Sequence, residues 1–514
     1  MNDPVKKIKK SRWRRRWLWL GALVGTPILL LLFTYGYACW AGNRQLNRLL
    51  TEIDRQDPDW RQAHLKRRPM PPPEQNGIEQ VLAARGAIAS LGGWPTWPFP
   101  AEGRPGVSVR DLRHAMSESL DDISTSAQFH PEQIRVLRAE LQRAEAGLRL
   151  ARRLVEFPHG QADIKPPKSY FSIALPHLQE TVSVAGLLKY DAYLRAQEGD
   201  LGRALDDVRA IIHASHAIGD EPYMISQLVR MNIDGMAVGV VQRILGLGVA
   251  REDNLKLAQQ LLLEEAETEF YRIGARGERA LLDEFLAAVQ QRDFSFEGFR
   301  EELSSSGIAF PGGGMPLIEE LNAFQLYASV TTQRAELLAL TNEAVQAGNL
   351  PEAKQQAAFD TLEEKLRQRK PWSLSNIVYP FLFRCGDNSL GAKALLRSAA
   401  TSVAAERFRL AKGRWPKDLA ELVPAFLPVQ LKDPFDGKPL RMRSRQDGLV
   451  IYALGHNLVD DGGNVTQTAA APDADVGFLL FDVDKRRLTP RPLKPPLGQE
   501  AAPGTGTNLG TIKE

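Results

Sequence analysis

The chain has 514 residues with a formal net charge of +3, and eight basic side chains lie within its first sixteen residues. Only Asp3 opposes them there, so the rest of the chain is mildly acidic, which excludes broad phosphate neutralisation and predicts no nucleic-acid partner. The two cysteines, Cys39 and Cys385, lie far apart and form no C-x-x-C spacing, which argues against a disulfide framework and a cysteine metal site. A chain of this length therefore has to be held by its own hydrophobic core.

An uncharged segment follows the basic N-terminus. Residues 17–40 contain no charged side chain, and a helix of these 24 residues would be about 36 Å long. That length exceeds the roughly 30 Å hydrocarbon core of a bilayer. Aromatic side chains cluster at both ends, the depth that such rings favour in a membrane: Trp17, Trp19, Tyr35, Tyr37 and Trp40. The segment is predicted to be a single transmembrane helix.

The charges that flank this segment predict its orientation. Residues 1–16 are strongly basic, whereas residues 41–60 contain only Arg44, Arg48 and Arg55 as basic side chains. The more positive flank stays in the cytoplasm, so the N-terminus is expected there and the bulk of the chain in the periplasm or another extracytoplasmic space. The predicted location is the inner (cytoplasmic) membrane, with a single pass.

Three other interpretations of the segment stay open. A cleaved signal peptide has the same charge layout, but its apolar region is usually roughly 7–15 residues long and Ala38-Cys39-Trp40-Ala41 is a poor cleavage site. Lipidation of Cys39 would need a lipoprotein box, which Gly36 and Tyr37 fit badly. The third alternative is a helix buried in the core of the domain. Such a helix would be expected to carry polar residues along one face, whereas residues 17–40 contain no charged residue.

Residues 41–107 are predicted to comprise a membrane-proximal helix and a proline-rich stalk that includes one helix over 74–91. Proline excludes regular helix and stiffens the chain toward polyproline II. The prolines concerned are Pro69, Pro71, Pro72, Pro73, Pro95, Pro98, Pro100 and Pro105. The aromatic residues Trp94, Trp97 and Phe99 indicate that the stalk packs on the domain.

Residues 108–388 are predicted to form a helical domain. Apolar residues recur at helical spacing over 131–155, 177–218, 222–247, 251–292, 315–346 and 351–369. The clearest element is a helical hairpin over 177–218, which turns at Gly199-Asp200 and resembles one tetratricopeptide unit. Ala192, Gly199 and Ala204 occupy the positions where two such helices approach closely. A generic helical bundle is the alternative, because a solenoid needs at least about three repeats.

The C-terminal part changes in character. Residues 389–484 are predicted to form a small α+β module, with a helix over 389–412 and an antiparallel sheet whose strands include 449–452 and 478–481. The tail 485–514 is rich in proline and glycine and is predicted to be disordered. The predicted fold class is therefore mainly α, with a transmembrane helix, a large helical-hairpin domain and a small α+β module.

Three short motifs occur in order within 395–484. They are Glu406-Arg-Phe-Arg-Leu-Ala-Lys-Gly-Arg-Trp-Pro416, then Leu431-Lys-Asp-Pro-Phe-Asp-Gly-Lys-Pro-Leu440, and finally Tyr452-Ala-Leu-Gly-His-Asn457 with Asp473-Ala-Asp475. In this order the motifs resemble the C-terminal module of the major pseudopilin of type II secretion. Pseudopilins begin with a short leader that is cut before a phenylalanine and a glutamate, which the N-terminal segment lacks. The resemblance therefore implies a shared C-terminal module and not a pilus subunit.

The last loop of that pseudopilin module binds calcium. The resemblance implies calcium as a ligand here, with candidate oxygen ligands from Asn457, Asp473 and Asp475 and further acids at Asp460 and Asp461. This chain departs from the family pattern in two ways, since Asn457 replaces an aspartate and extra residues precede Asp473. A solvated acidic loop is the alternative interpretation.

The sequence predicts no catalytic residues, because it contains no H-E-x-x-H motif, nucleophile elbow or Rossmann fingerprint. His213 and His216 share a helix face and would suit a metal, although such pairs are more often hydrogen-bonded core histidines. Arg230 and Asp234 are predicted to form an i,i+4 ion pair. The adjacent acids at 121–122 are expected to face water.

The leading functional prediction is a bacterial envelope protein of the interaction or scaffold type, with protein partners in the envelope and a link to secretion or pilin-like machinery. The alternative is a membrane-tethered extracytoplasmic hydrolase that uses the helical domain as its substrate groove. An enzyme should show one concave pocket with converging polar groups and perturbed pKa values. A scaffold should show an open groove or an exposed apolar patch.

Overall fold

The computed structural model describes residues 9–65, 70–89, 119–164, 173–293, 298, 316–368, 375–466 and 474–493. The second part of the predicted proline-rich stalk, with Trp94, Trp97 and Phe99, lies outside these residues, as do the first half of the basic N-terminus and most of the predicted tail. The described part is mainly helical with one small sheet, as predicted.

The helices follow the predicted order along the chain. They are α1 (Lys9–Gln56), α2 (Gln62–Leu65), α3 (Gly77–Ala89), α4 (Pro131–Arg143), α5 (Glu145–Arg152), α6 (Pro176–Glu198), α7 (Leu201–Ile218), α8 (Met224–Leu247), α9 (Glu252–Ala266), α10 (Phe270–Gln291), α11 (Pro316–Gly348), α12 (Glu352–Arg367) and α13 (Ser375–Lys412). Short 3-10 turns lie at Leu120–Asp122, Arg153–Glu156, Leu419–Leu422 and Val483–Lys485. Helix α13 begins earlier than the predicted residue 389, and the predicted region 251–292 divides into α9 and α10.

Helix α1 is a continuous helix of 48 residues. Its C-terminal half is packed into the domain, because Leu46 and Ile53 are buried against Ala335 and Leu338 of α11. Close helix packing at this contact leaves little space, since a Cβ on Gly42 would lie 2.9 Å from the Thr332 hydroxyl. The predicted membrane-proximal helix is thus rigidly joined to the helical domain.

The N-terminal half of α1 has a different surface. Its described large apolar side chains are between 64% and 76% exposed, namely Trp19, Leu23, Leu29, Leu30 and Phe33. Within the described part of the chain, no helix has the length together with the hydropathy that a membrane span requires. Many side chains of the predicted span at 17–40 lie outside that part.

The predicted hairpin over 177–218 is confirmed as α6 and α7. Gly199 ends α6 in the left-handed region, with φ of 88°, where glycine avoids the steric cost of a side chain. Asp200 then begins α7 by accepting a hydrogen bond from the Arg203 amide with its side chain. Helix α8 packs on both α6 and α7, which completes a three-helix layer.

A small sheet covers one side of α13. Its strands are β1 (Arg441–Arg445), β2 (Gly448–Ala453), β3 (Val465–Thr466) and β4 (Asp475–Phe481), in the order β1-β2-β4-β3. Strands β1, β2 and β4 are antiparallel, as predicted, with Val450 opposite Leu479, whereas the two-residue β3 runs parallel to β4. Strands β2 and β4 contact α13, so a single hydrophobic core extends from Ile78 to Leu480.

The chain beyond the sheet returns to the helical domain. The Arg487 amide donates to the Gly246 carbonyl at 3.0 Å, and the Leu488 amide donates to the Ser126 carbonyl at 2.8 Å. Residues 485–488, which the sequence assigns to the disordered tail, are instead fixed by these hydrogen bonds. The physical reason is a non-local backbone pairing that composition does not report.

Candidate functional site

The acidic loop predicted to bind calcium is closed by its own hydrogen bonds. The Asn457 amide donates to Asp461 at 2.9 Å, and the Gly463 backbone amide donates to Asp475 at 2.8 Å. Asp475 is fully buried. Burial raises the pKa of Asp475, and the two backbone amides that it accepts oppose the rise. Its carboxylate therefore stabilises the loop from inside.

The remaining acids of the loop differ in their surroundings. Asp460 accepts hydrogen bonds from the Tyr452 hydroxyl and the Gly462 amide, each at 3.0 Å, and lies 3.7 Å from the Arg441 guanidinium. Asp473 lies outside the described residues. Among the described residues, no group of three histidine, cysteine or acidic side chains is arranged to hold a metal ion. Of the five predicted ligands, the structure thus brings Asn457, Asp461 and Asp475 into one hydrogen-bonded chain.

The two histidines of the predicted metal pair use their ring nitrogens within the protein. Their rings stack at 5.9 Å, but His213 Nδ1 bonds the Leu154 carbonyl at 2.8 Å and His216 Nδ1 bonds the Pro158 carbonyl at 3.0 Å. His216 Nε2 bonds Glu265. Burial lowers the pKa of His213 to about 4, so this ring is neutral at pH 7. The pair is better described as hydrogen-bonded core histidines.

The predicted ion pair between Arg230 and Asp234 is wrong. Arg230 instead bonds Glu265 at 3.2 Å and Asp220 at 3.1 Å, because both carboxylates reach it from other elements. Asp234 is fully buried, and neither of its carboxyl oxygens has a hydrogen-bond partner. Burial, followed by the charge of Glu265, raises the pKa of Asp234 well above its ordinary range, which favours the neutral carboxyl group.

A second buried polar group lies at the start of α8. His177 Nε2 and the Ser226 hydroxyl each bond a different oxygen of Glu221, both at 2.7 Å. The carboxylate lies between the histidine and the serine, so the histidine is not placed to take a proton from the hydroxyl. A cavity of about 180 Å³ lies beside Glu221 and Tyr223. This arrangement fixes the loop before α8 and does not form a serine–histidine pair.

The larger cavity, of about 550 Å³, opens between α6, α8, α13 and the segment 120–125. Small residues create this room, namely Gly235 and Gly239 of α8 and Gly391 and Ala392 of α13. A Cβ on Gly235 would lie 3.9 Å from a Leu395 methyl carbon, which leaves it free of any close contact. The volume falls within the roughly 300–1,000 Å³ that small-molecule sites occupy. We call it the α6–α8–α13 cavity.

Polar side chains converge at one side of the α6–α8–α13 cavity. Asp121 accepts hydrogen bonds from the Lys189 ammonium at 2.7 Å and from the Tyr193 hydroxyl at 3.0 Å. Burial, followed by the Asp121 charge, raises the pKa of Tyr193 well above its ordinary range, so its phenol stays protonated. Within the described lining, no nucleophile lies beside a general base, so these groups are suited to binding.

Arg243 is the most deeply buried charged residue of this lining, with 1% of its surface exposed. Its terminal nitrogens donate to the backbone carbonyls of 123, 124 and 127, and its guanidinium lies 3.7 Å from the centre of the Phe129 ring. Its Nε–H group has no hydrogen-bond partner. Burial lowers the pKa of Arg243 to about 10, which leaves the guanidinium charged at pH 7.

Sequence reasoning did not single out the α6–α8–α13 cavity. Asp121 was expected only to face water, and Lys189 and Arg243 lie 54 positions apart on different helices. The one local signal is the pair Gly235 and Gly239, which lie four residues apart and leave one face of α8 without bulk. A glycine pair of this kind indicates a close helix contact as readily as a cavity.

Comparisons with known proteins do not add a family. No family model matches the chain, and no curated protein or solved structure matches it. Function therefore has to be argued from the surfaces and sites described above.

Proposed function

We propose that this chain is a membrane-anchored envelope protein of the interaction or scaffold type. The proposal rests on α1, whose N-terminal half exposes large apolar side chains while its C-terminal half is buried in the helical domain. Large exposed apolar surface marks a membrane or protein contact. The basic residues before it and the uncharged run 17–40 support insertion with the N-terminus in the cytoplasm.

Membrane fractionation tests the anchor. The full chain should stay in the membrane pellet after an alkaline carbonate wash, and protease added to spheroplasts should digest the bulk of the chain. Arginine at both Leu23 and Leu30 should release the chain, because each charge at the bilayer centre costs roughly 2.5–3.5 kcal/mol. Arginine at Val429, which is 59% exposed in the C-terminal module, is the matched control and should change nothing. Release of the unaltered chain by carbonate would contradict the anchor.

The pseudopilin-like module at 389–484 is proposed to be the part that contacts envelope partners. Two adjacent apolar side chains, Leu458 and Val459, are 50% and 54% exposed on the acidic loop, and Leu458 has a positive φ of 56°. A photocrosslinking amino acid at Val459 should give a discrete adduct with an envelope or secretion protein. The same amino acid at Leu257, which is 52% exposed on α9, is the control. Adducts of equal yield at both positions would argue against a dedicated contact.

Calcium is proposed as a ligand of the acidic loop on the resemblance to pseudopilins. The exposed Asp460 and the positive φ angles of Gly462 and Gly463, 74° and 79°, support a loop in which backbone carbonyls can join a carboxylate as ligands. Excess calcium should then raise the melting temperature relative to chelator, and Asp461→Asn should remove that difference. Identical melting curves in calcium and in chelator would contradict the proposal.

A membrane-tethered hydrolase is the second candidate, and the α6–α8–α13 cavity is the observation that favours it. The cavity is concave and carries converging polar groups, as a substrate groove requires. Its Asp121, Lys189 and Tyr193 side chains are engaged with one another and the terminal nitrogens of Arg243 with the backbone, and no nucleophile lies beside a base among them. For this reason the interaction or scaffold function is preferred.

A further inference from the structure

The α6–α8–α13 cavity has a positive wall. Two cations line it, Lys189 and Arg243, against the single carboxylate of Asp121. Asp121 is paired with Lys189 at 2.7 Å, and among the described residues no carboxylate forms an ion pair with Arg243. A buried charge is costly unless a partner compensates it, and backbone carbonyls offer only partial compensation to a guanidinium. An anion in the cavity would supply the missing negative charge.

The hydrogen bonding of Arg243 is also incomplete within the protein. Its Nε–H is buried without a partner, in a residue that lines the cavity. An unpaired buried donor is costly, so the guanidinium as a whole is left incompletely compensated beside the cavity. The amide side chains of Asn232 and Asn388 also line the cavity and are neutral donors and acceptors.

The rest of the lining is apolar. Its large side chains are Leu120, Ile123, Leu228, Met231, Met236 and Leu395. Methionine side chains adapt to flexible apolar ligands, because they are unbranched and polarisable. Each methylene group that moves from water into such a lining contributes about 0.8 kcal/mol. A small inorganic anion would leave this apolar surface in contact with water.

We propose that the α6–α8–α13 cavity binds a single-chain anionic amphiphile, whose carboxylate or other acidic head faces Arg243 and Lys189 and whose alkyl chain packs on the leucines and methionines. A cationic amphiphile would meet two positive charges, and a neutral one would leave the Arg243 charge uncompensated. The site lies in the helical domain and does not depend on the anchor of α1. It adds a small-molecule ligand to the proposed interaction or scaffold function.

Photolabelling of the full chain in membrane vesicles tests this site. The probe is a long-chain fatty acid with a diazirine in its chain, compared with the alcohol and the amine of the same chain. The acid should label peptides of α8 and α13 about tenfold or more above the alcohol, because a charge-assisted hydrogen bond contributes roughly 1.5–3 kcal/mol. The amine should label them least. Equal labelling by all three probes would overturn the anionic head.

Filling the cavity is the second arm of the test. Gly235→Leu should abolish labelling of α13, because the new side chain grows into the cavity from a position with no atom closer than 3.9 Å to the first carbon. Ala392→Leu fills it from the other helix and replaces Gly235→Leu if that variant does not fold. Gly186→Leu is the matched control, since Gly186 has open space around it on α6 and lies outside the lining.

Three further outcomes would overturn the proposal. Labelling confined to α1 would show that the fatty acid reaches the chain only from the lipid. Acetate and inorganic phosphate serve as competitors of the probe: if either reduced labelling of α8 and α13 as strongly as unlabelled fatty acid does, the alkyl chain would contribute nothing to binding. Retention of full labelling in both Gly235→Leu and Ala392→Leu would place the ligand elsewhere.

Discussion

Substitution of Glu406 by glutamine should destabilise the chain more than any single loss of surface charge. Glu406 is fully buried on α13 and accepts four hydrogen bonds, two from Arg486 at 2.8 Å and two from Arg409 at 2.8 and 2.9 Å. Arg486 follows the sheet and is 7% exposed, so this contact joins the end of the described chain to the helical domain. The change keeps the shape of the side chain, removes its charge and replaces one accepting oxygen by an NH2 group that cannot accept from the arginines.

The size of the effect follows from burial. Arg486 would keep its hydrogen bonds to the Phe481 carbonyl at 2.9 Å and the Gly248 carbonyl at 2.8 Å, but its charge would have no compensating carboxylate. Breaking a buried pair from one side costs about 3–5 kcal/mol. Methionine at both Glu406 and Arg486 should cost less than Glu406→Gln alone, because no uncompensated charge stays buried at that position.

Urea unfolding of the full chain, followed by circular dichroism, measures these free energies. Glu421→Gln is the matched control, because Glu421 also pairs with an arginine, Arg414 at 2.8 Å, but on the exposed surface of the same module. Screening by water makes exposed pairs contribute little. Similar losses for Glu406→Gln and Glu421→Gln would refute the reasoning from burial.

Three further changes have defined outcomes. Gly277→Ala should destabilise the chain by about 1–3 kcal/mol in urea unfolding, because the new Cβ would lie 1.8 Å from the Pro222 carbonyl oxygen, whereas Gly186→Ala on another helix should stabilise it; equal effects would contradict the close contact. Asp234→Asn should make stability less sensitive to pH above about 4, because a carboxyl group whose pKa is raised by burial stabilises the fold less as pH rises above its ordinary pKa of 3.8; an unchanged pH profile would contradict the raised pKa. Burial alone would raise the pKa of Glu406, but its two arginines lower it. The carboxylate therefore stabilises the fold at pH values above its ordinary pKa, and this stabilisation is lost as pH falls through the pKa of the folded state. Glu406→Gln should reduce the fall in melting temperature at acid pH.

Local sequence patterns predicted the helices well because helix formation depends on neighbours three or four residues apart. The turn at Gly199-Asp200 shows this, since a left-handed glycine followed by a capping aspartate is readable from two adjacent letters. The strands at 449–452 and 478–481 were found for a similar reason, as short apolar runs between turn residues. The order at 485–488 was missed, because it depends on hydrogen bonds to other elements.

The candidate sites show the opposite dependence. The pairing of Arg230 was mispredicted from an i,i+4 spacing, because Glu265, 35 positions away, lies closer in space. The ammonium group of Lys189 is paired with Asp121 from another element. The guanidinium group of Arg243 belongs to the lining of a cavity that no single stretch of sequence indicates. The motif located the acidic loop in the sequence. Only the three-dimensional structure shows which of its carboxylate oxygens already accept hydrogen bonds from backbone amides.

The sequence by itself determined the helical periodicity, the small sheet, the cluster of basic residues at the N-terminus and the uncharged run beside it, since these follow from the spacing and type of neighbouring side chains. The tertiary structure alone decided which polar groups are buried and with whom they pair. Glu406 meets Arg486 across 80 positions and Asp57 meets Arg279 across 222, because desolvation is set by the elements that pack around a group and not by its neighbours in the chain. The α6–α8–α13 cavity belongs to the same class, since its charge and volume exist only where three helices meet.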